Sequence, residues 1–319
     1  MRFVFRSDAS PVIGAGHVMR SSAIAEEFIK AGYEVFFIGT IIGITWLSER
    51  IQTLGFTQII EDENNFYSNN IADVLIIDSY TIGVDDEFIN KSKWFKVVSI
   101  FDAVSPSYFC DMRIHPGLST NWSEIPGVQT LSGPKFIPIR ASLSKIVNSS
   151  EYVPLRILIV GGGTDIHDFG INLARVLLKL ENNFRAVLIV PNYKRQILDS
   201  RFIKVLSGRN FDDEIGEINL AFTTASTISL ELAANGVALG VGCSVQNQEI
   251  YYSELQKMNL AVPIGKFNKD SWIFDLELIK ELIESKNLRN ELRSKALDTL
   301  DFYGANRIFN EIKKLILRH

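Results

Sequence analysis

The residues best placed to do chemistry begin with His17. Between Arg6 and Phe28 the chain reads RSDASPVIGAGHVMRSSAIAEEF, a polar strand end, a small-residue loop and a helical pattern in which Val18, Ser21, Ser22, Ala25 and Phe28 recur at helical spacing. His17 therefore stands at a helix start, where the first turn presents unpaired N–H groups and a partial positive charge. Gly14 and Gly16 permit backbone conformations and close approaches that a side chain would forbid, so an anion or a polar sugar can dock there. The dipole favours the neutral imidazole, the form that accepts a proton from water. The dinucleotide fingerprint does not fit, because Met19 occupies its third glycine position, and the P-loop fails for want of its Gly-Lys-Ser/Thr ending.

Further candidates follow strand-like runs. Asp8 and Asp102 each end an apolar run and either reach a ligand or cap a turn, and Asp78 and Tyr80 leave the run VLIIDSY ahead of a helix from Val84 to Phe88. In the second half, Gly161, Gly162 and Gly163, then Thr164 and Asp165, sit between the run LRILIV and a helical pattern, an arrangement whose helix offers N–H donors to phosphate. The run AFTTASTISLELAA places Ala225, Ser226 and Thr227 at another helix start, with Glu231 one turn along. Hydroxyls and free N–H groups there can hold a diphosphate without any lysine, although Ser226 is also an ordinary N-cap. Asn247 and Gln248 follow a further strand.

These residues need elements to hold them. RFVFRS, YEVFFIG, FTQII, ADVLIIDSY and FKVVSIFD alternate with helical patterns, and buried runs separated by helices predict a parallel sheet covered on both faces. In such sheets ligands collect beyond the carboxyl ends of the strands. The polar stretch SLSKIVNSSEYVP reads as a linker, after which strand, glycine loop and helix begin again. The expected organisation is an α/β protein of two Rossmann-like domains, 1–146 and 153–319, facing an interdomain cleft, with Ser271–His319 helical and the last helix packing back across the domains.

At 319 residues the chain suits two domains. Its net charge of -4 and pI near 5.7 argue against nucleic acid or an acidic membrane surface, so an anionic ligand must be held locally. Two cysteines, Cys110 and Cys243, are too few for a disulfide framework, and their spacing with His17, His115, His167 and His319 suggests no zinc site. VFFIGTIIGITWL is too short and too interrupted to span a bilayer, and Met1 leads directly into a strand without a signal core, which together fit a cytoplasmic protein.

The stretches RSDAS, IGAGHVMR, LIIDSY, GGTD and the NQ of VQNQ resemble the PseG/SpsG family, UDP-sugar hydrolases of pseudaminic acid biosynthesis that are related in fold to MurG-type, GT-B glycosyltransferases. The resemblance implies that His17 is the base that activates water, that Tyr80 lines the sugar site and that Asn247, with Gln248 beside it, faces the sugar and phosphate end of the cleft. It also implies that the helix start at Ala225, Ser226 and Thr227 holds the nucleotide phosphates and that Glu231 reaches the ribose. Asp8, Gly14, Gly16, Arg20, Asp102, Gly162, Gly163, Thr164 and Asp165 complete the expected substrate-binding set. The family's pattern is departed from at His115-Pro116-Gly117 and around Arg140, where the sugar should be read. The expected activity is hydrolysis of a UDP-sugar with inversion, without metal or cofactor. The alternatives are transfer of the sugar to an acceptor and nucleotide-sugar binding without chemistry.

Overall fold

A computed structural model describes residues 1–61, 73–80, 82, 89, 94–102, 109–145, 152–190, 199–206 and 211–317. The helix expected to begin over Val84 to Phe88 and residues 146–151 of the expected linker lie outside the described residues. The chain forms two compact units, Met1–Arg140 with Phe302–His319, and Ala141–Asp301.

The first unit is built on the parallel strands β1 (Arg2–Ser7), β2 (Glu34–Ile38), β3 (Gln58–Ile60), β4 (Val74–Asp78), β5 (Lys96–Ile100), β6 (Met112–Ile114) and β7 (Gln129–Leu131). Among the described residues they lie in the order β3-β2-β1-β4-β5-β6-β7. The order reverses between β1 and β4, where Ser7 pairs with Asp78, so the crevice that such a reversal opens lies beyond these two residues. Helix α1 (Gly16–Lys30) follows β1 and α2 (Thr45–Thr53) follows β2. Phe3 and Phe5 of β1 face Phe28 of α1 in the larger of this unit's cores, while Val4 faces the opposite one. That alternation is what a strand covered on both faces requires.

The last helix also belongs to this unit. It runs Gly304–Leu317, with Ala305, Ile308, Phe309, Ile312 and Leu315 buried on one face at the spacing of an amphipathic helix. Phe309 packs edge-on to Phe28 at 4.8 Å, and Asn306 donates to the Glu27 carboxylate at 2.8 Å. α1 is thus enclosed between the sheet and the chain's end, which explains how it buries Ser21 and Ser22 along with its apolar residues.

The second unit repeats the plan with β8 (Leu155–Val160), β9 (Phe184–Ile189), β10 (Phe202–Leu206), β11 (Leu220–Thr224), β12 (Ala238–Cys243), β13 (Val262–Asn268) and β14 (Ser271–Phe274). Their order is β10-β9-β8-β11-β12-β13-β14, with only β14 antiparallel to its neighbour. Here the order reverses between β8 and β11. Helix α3 (Phe169–Leu177) follows β8, and α4 (Phe211–Ile215) precedes β11. Helix α5 (Thr227–Ala234) follows β11, α6 (Glu249–Lys257) follows β12, and α7 (Leu276–Glu284) and α8 (Lys286–Thr299) close the unit before the last helix, α9. Ser271–Phe274, expected to be helical, is instead the edge strand of a hairpin: Lys269 takes a left-handed backbone at the turn, and Trp272 and Phe274 stack on the sheet beside Phe169. No helix among the described residues is long and apolar enough to cross a membrane.

Candidate active site

In the first unit the turn that carries His17 is fixed by its own backbone. Gly14 donates to the Ser10 carbonyl at 2.7 Å with φ of +86°, a conformation that disfavours residues with a side chain, and Ile13 donates to the Ser10 hydroxyl at 3.1 Å. The N-cap of α1 is Ala15, whose side chain offers no acceptor to the first-turn N–H groups.

His17 is 5% exposed and its Nδ1 lies 2.5 Å from Asp78 Oδ1. A carboxylate only accepts, so Nδ1 carries the proton and donates, and Nε2 is left as the nitrogen that can take one. Arg20 Nη2 stands 3.1 Å from the same Nδ1, where it acts as a neighbouring charge, because a guanidinium cannot accept the proton that Nδ1 presents. Arg20 instead donates through Nε to Asp78 Oδ2 and through Nη2 to Asp78 Oδ1, both at 2.6 Å, and to Asp102 through Nη1 at 2.6 Å and Nη2 at 3.0 Å. Ser21 adds a hydroxyl to Asp78 at 3.2 Å. Tyr80 donates its hydroxyl to Asp102 Oδ2 at 2.5 Å and sets its ring edge-on to His17 at 4.3 Å, yet the residue is 54% exposed. The two rings therefore lie side by side, each tied to its own aspartate.

Burial works against the charge on Asp78, and Arg20 and then His17 more than reverse it, so its carboxyl lies below the usual range. Asp102 behaves alike: Arg20, His17 and the Tyr80 hydroxyl outweigh burial. Desolvation and the Asp102 charge push the Tyr80 phenol up, so at neutral pH it is a neutral donor.

Behind this network lies His115, fully buried, its ring against Phe101 and Trp122. Burial lowers it to about 4, with Asp102 opposing and Arg20 assisting. The folded chain thus keeps this ring neutral while the unfolded chain protonates it near its ordinary value of 6.5. The contribution to stability is present above pH 6.5 and is lost as pH falls towards 4, by up to about 3 kcal/mol. His115→Phe keeps the aromatic packing and removes the proton site. Thermal melts between pH 7 and 4.5 should show the variant losing less stability than the parent, and parallel curves would exclude this role.

Asp8 is held elsewhere. Its Oδ1 accepts from the Thr40 N–H at 2.9 Å and its Oδ2 pairs with Arg6 at 2.6 Å, ties that join the ends of β1 and β2.

In the second unit, the loop after β8 meets the loop after β11. Gly162 has φ of +94°, and a Cβ there would stand 3.4 Å from the Thr224 hydroxyl and 4.0 Å from that of Ser226. Thr224 donates to the Gly161 carbonyl at 3.1 Å. Ser226 is the extended N-cap of α5 but its side chain makes no cap bond to the helix. Ala225 is buried with its N–H on the Gly242 carbonyl at 2.8 Å, and Glu231 is buried on α5. Asn247 is exposed in a single helical turn after β12, while Gln248 accepts from the Ser244 N–H at 2.9 Å. The helix after the three glycines departs from expectation as a donor. Asp165 turns inward and accepts from Phe169 N–H at 2.7 Å and Gly170 N–H at 3.1 Å, closing α3, and burial pushes its carboxyl up to about 6 against those two bonds. Gly163 and Thr164 lie half-buried between this cap and Gly162.

Asp78, which the sequence offers only as the polar end of a strand and without a role, is the partner of His17 in the fold. Its signal was position alone: the last residue of a buried strand that the topology sets beside β1.

Two Rossmann-like units with strand-order reversals at these loops define a GT-B fold. Solved structures agree on the fold. Acinetobacter baumannii MurG superposes with a TM-score of 0.63 at 15% identity over 98% of this chain and all of that one, and the calicheamicin glycosyltransferase CalG4 with 0.65 at 12% identity over 99% and 98%. No protein-family model matches the chain. Among curated proteins, the chain is 25% identical over 281 residues to the UDP-2,4-diacetamido-2,4,6-trideoxy-beta-L-altropyranose hydrolase of Campylobacter jejuni, covering 82% of this chain and 98% of that protein. The resemblance read from the motifs thus extends over most of the chain.

Proposed function

We propose that the protein hydrolyses a UDP-activated deoxy-acetamido sugar at its anomeric carbon, releasing UDP and the free sugar with inversion, as a step in nonulosonic acid or surface glycan synthesis. The observation that carries this reading is the Asp78–His17 pair, which leaves Nε2 as the proton acceptor at the start of α1. Water loses a proton to Nε2 as its oxygen bonds to the anomeric carbon. The bond from that carbon to the UDP oxygen breaks with its electron pair remaining on the diphosphate. Asp78 stabilises the imidazolium so formed, as the carboxylate of a catalytic triad does, and general-base help of this kind is worth roughly 10²–10⁴-fold. The start of α5, with the close approach that Gly162 allows beside it, offers backbone N–H donors for the departing charge. Tyr80 and Asn247 contact the sugar, and Glu231 the ribose.

The first substrate to try is the one named for the Campylobacter jejuni relative. Incubation with it and with other UDP-acetamido sugars, following UDP and free sugar by mass, is the deciding experiment. Both products from water alone support hydrolysis. UDP release that waits on an added hydroxyl acceptor makes the enzyme a transferase, and binding without turnover leaves a nucleotide-sugar receptor. Glu231→Ala should weaken UDP binding about tenfold by calorimetry without changing the melting profile of the fold, the loss expected from one charge-assisted hydrogen bond. Unchanged UDP affinity removes Glu231 from the site.

A further inference from the structure

Arg20 is nearly closed off from solvent, at 4% exposure, and its guanidinium faces two carboxylates rather than an open pocket. One of these, Asp78, orients the His17 ring and the other, Asp102, anchors the Tyr80 hydroxyl. The four short donor contacts form a planar fork that grips both, the geometry that arginine supplies and lysine does not. We propose that Arg20 is the positioning residue of this site: it sets the spacing of His17 and Tyr80 through their aspartates and limits the negative charge the His17 ring feels.

The groups that surround His17 set the charge that its ring meets. Asp78 reaches it from the end of β4, Asp102 from just past β5, Tyr80 from the loop after β4 and Arg20 from one turn further along α1, with buried neutral His115 behind Asp102. Among the described residues, two carboxylates against one guanidinium leave one net negative charge beside the imidazole. That surplus stabilises the imidazolium of the transition state. Without the guanidinium the surplus doubles, the proton is held more tightly, and the base is occupied at pH values where the parent is free. A second observation points the same way: Arg20 holds the carboxyls of both aspartates in their charged form against the effect of burial.

The inference rests on His17 acting as the base, and three variants separate its parts. Arg20→Gln should move the acid limb of the kcat–pH profile up by about one pH unit or more and lower kcat on the order of 10²-fold, because both rings lose their spacing. Arg20→Lys keeps the charge without the fork, so its acid limb should stay near the parent's while kcat still falls. Arg20→Gln with Asp102→Asn restores the parent's net charge, so its acid limb should return while kcat stays low for want of the fork, and this variant carries the test if the single one does not fold. The titration of His17 followed by NMR on histidine-labelled protein, its signal identified by its loss in His17→Asn, should move in the same directions without substrate. That readout separates the two readings: if the parent turns over no UDP-sugar the proposed function fails, while the NMR midpoints still decide the role of Arg20. Unmoved midpoints in Arg20→Gln, or a loss confined to KM in all three variants, would assign Arg20 to the substrate and overturn the proposal.

Discussion

His17→Ala and His17→Asn should each lower kcat on the order of 10² or more while UDP-sugar binding survives. The expectation follows from where the ring's contacts lie. Its Nδ1 is taken by Asp78 and its ring packs T-shaped against Tyr80, so the remaining nitrogen is the one left to act on water. Removing it takes away an interaction made only in the transition state, which lowers kcat and kcat/KM together. The fold should tolerate the change, because Asp78 keeps both of its bonds to Arg20 and its bond to Ser21. Activity of the parent should fall on acidification, since a protonated ring cannot accept, and the variants' residual rate should lack that limb. A His17→Ala enzyme that turns over its UDP-sugar near the parent's kcat would end this mechanism and move the role to Asp78 or Asp102.

Much of the framework could be read from the sequence because the buried strands announce themselves. VLIID and KVVSI carry adjacent apolar residues, Val74 to Ile77 and Val97 with Val98, which fill both faces as strands covered on both sides require. Strands β6 and β7 could not be read, since three residues carry no period and MRI contains an arginine. Arg113 is fully buried there and donates to the Ser123 carbonyl and the Thr130 hydroxyl, a solution visible only once the strands are side by side. The same limit applies to the site. His17 stands out because glycines and a helix mark it locally. Asp78 does not, because its use depends on β4 lying next to β1 rather than on any neighbour in sequence. Asp165 illustrates the converse: beside three glycines it reads as a ligand contact, whereas four residues ahead of Phe169 it reaches back to close a helix. An aspartate in a loop before a helix carries both readings, and only the direction of its carboxylate separates them.

Asp78→Asn should be as damaging to kcat as loss of His17, although the substituted group never touches substrate. Asparagine keeps the size and one acceptor but can present its amide N–H groups to Nδ1. Nδ1 then accepts, the proton moves to Nε2, and the nitrogen that should take a proton from water already holds one. The corresponding change in serine proteases costs roughly 10⁴ in kcat through the wrong tautomer, and a loss of about 10²–10⁴ is expected here. Asparagine is also the better probe of chemistry. Asp78→Ala would leave a buried guanidinium short of a partner, at a cost of about 3–5 kcal/mol that would confuse unfolding with inactivity. With Asn, Arg20 retains Asp102 and an amide oxygen to donate to. The measurement is kcat and KM beside a thermal melt, with the His17 tautomer read from imidazole nitrogen shifts. Loss of kcat with an unchanged KM and a flipped tautomer is the expected result. A variant within threefold of the parent's kcat would mean that Asp78 serves the fold alone, and that the surrounding helix and rings are enough to hold His17 in its working form.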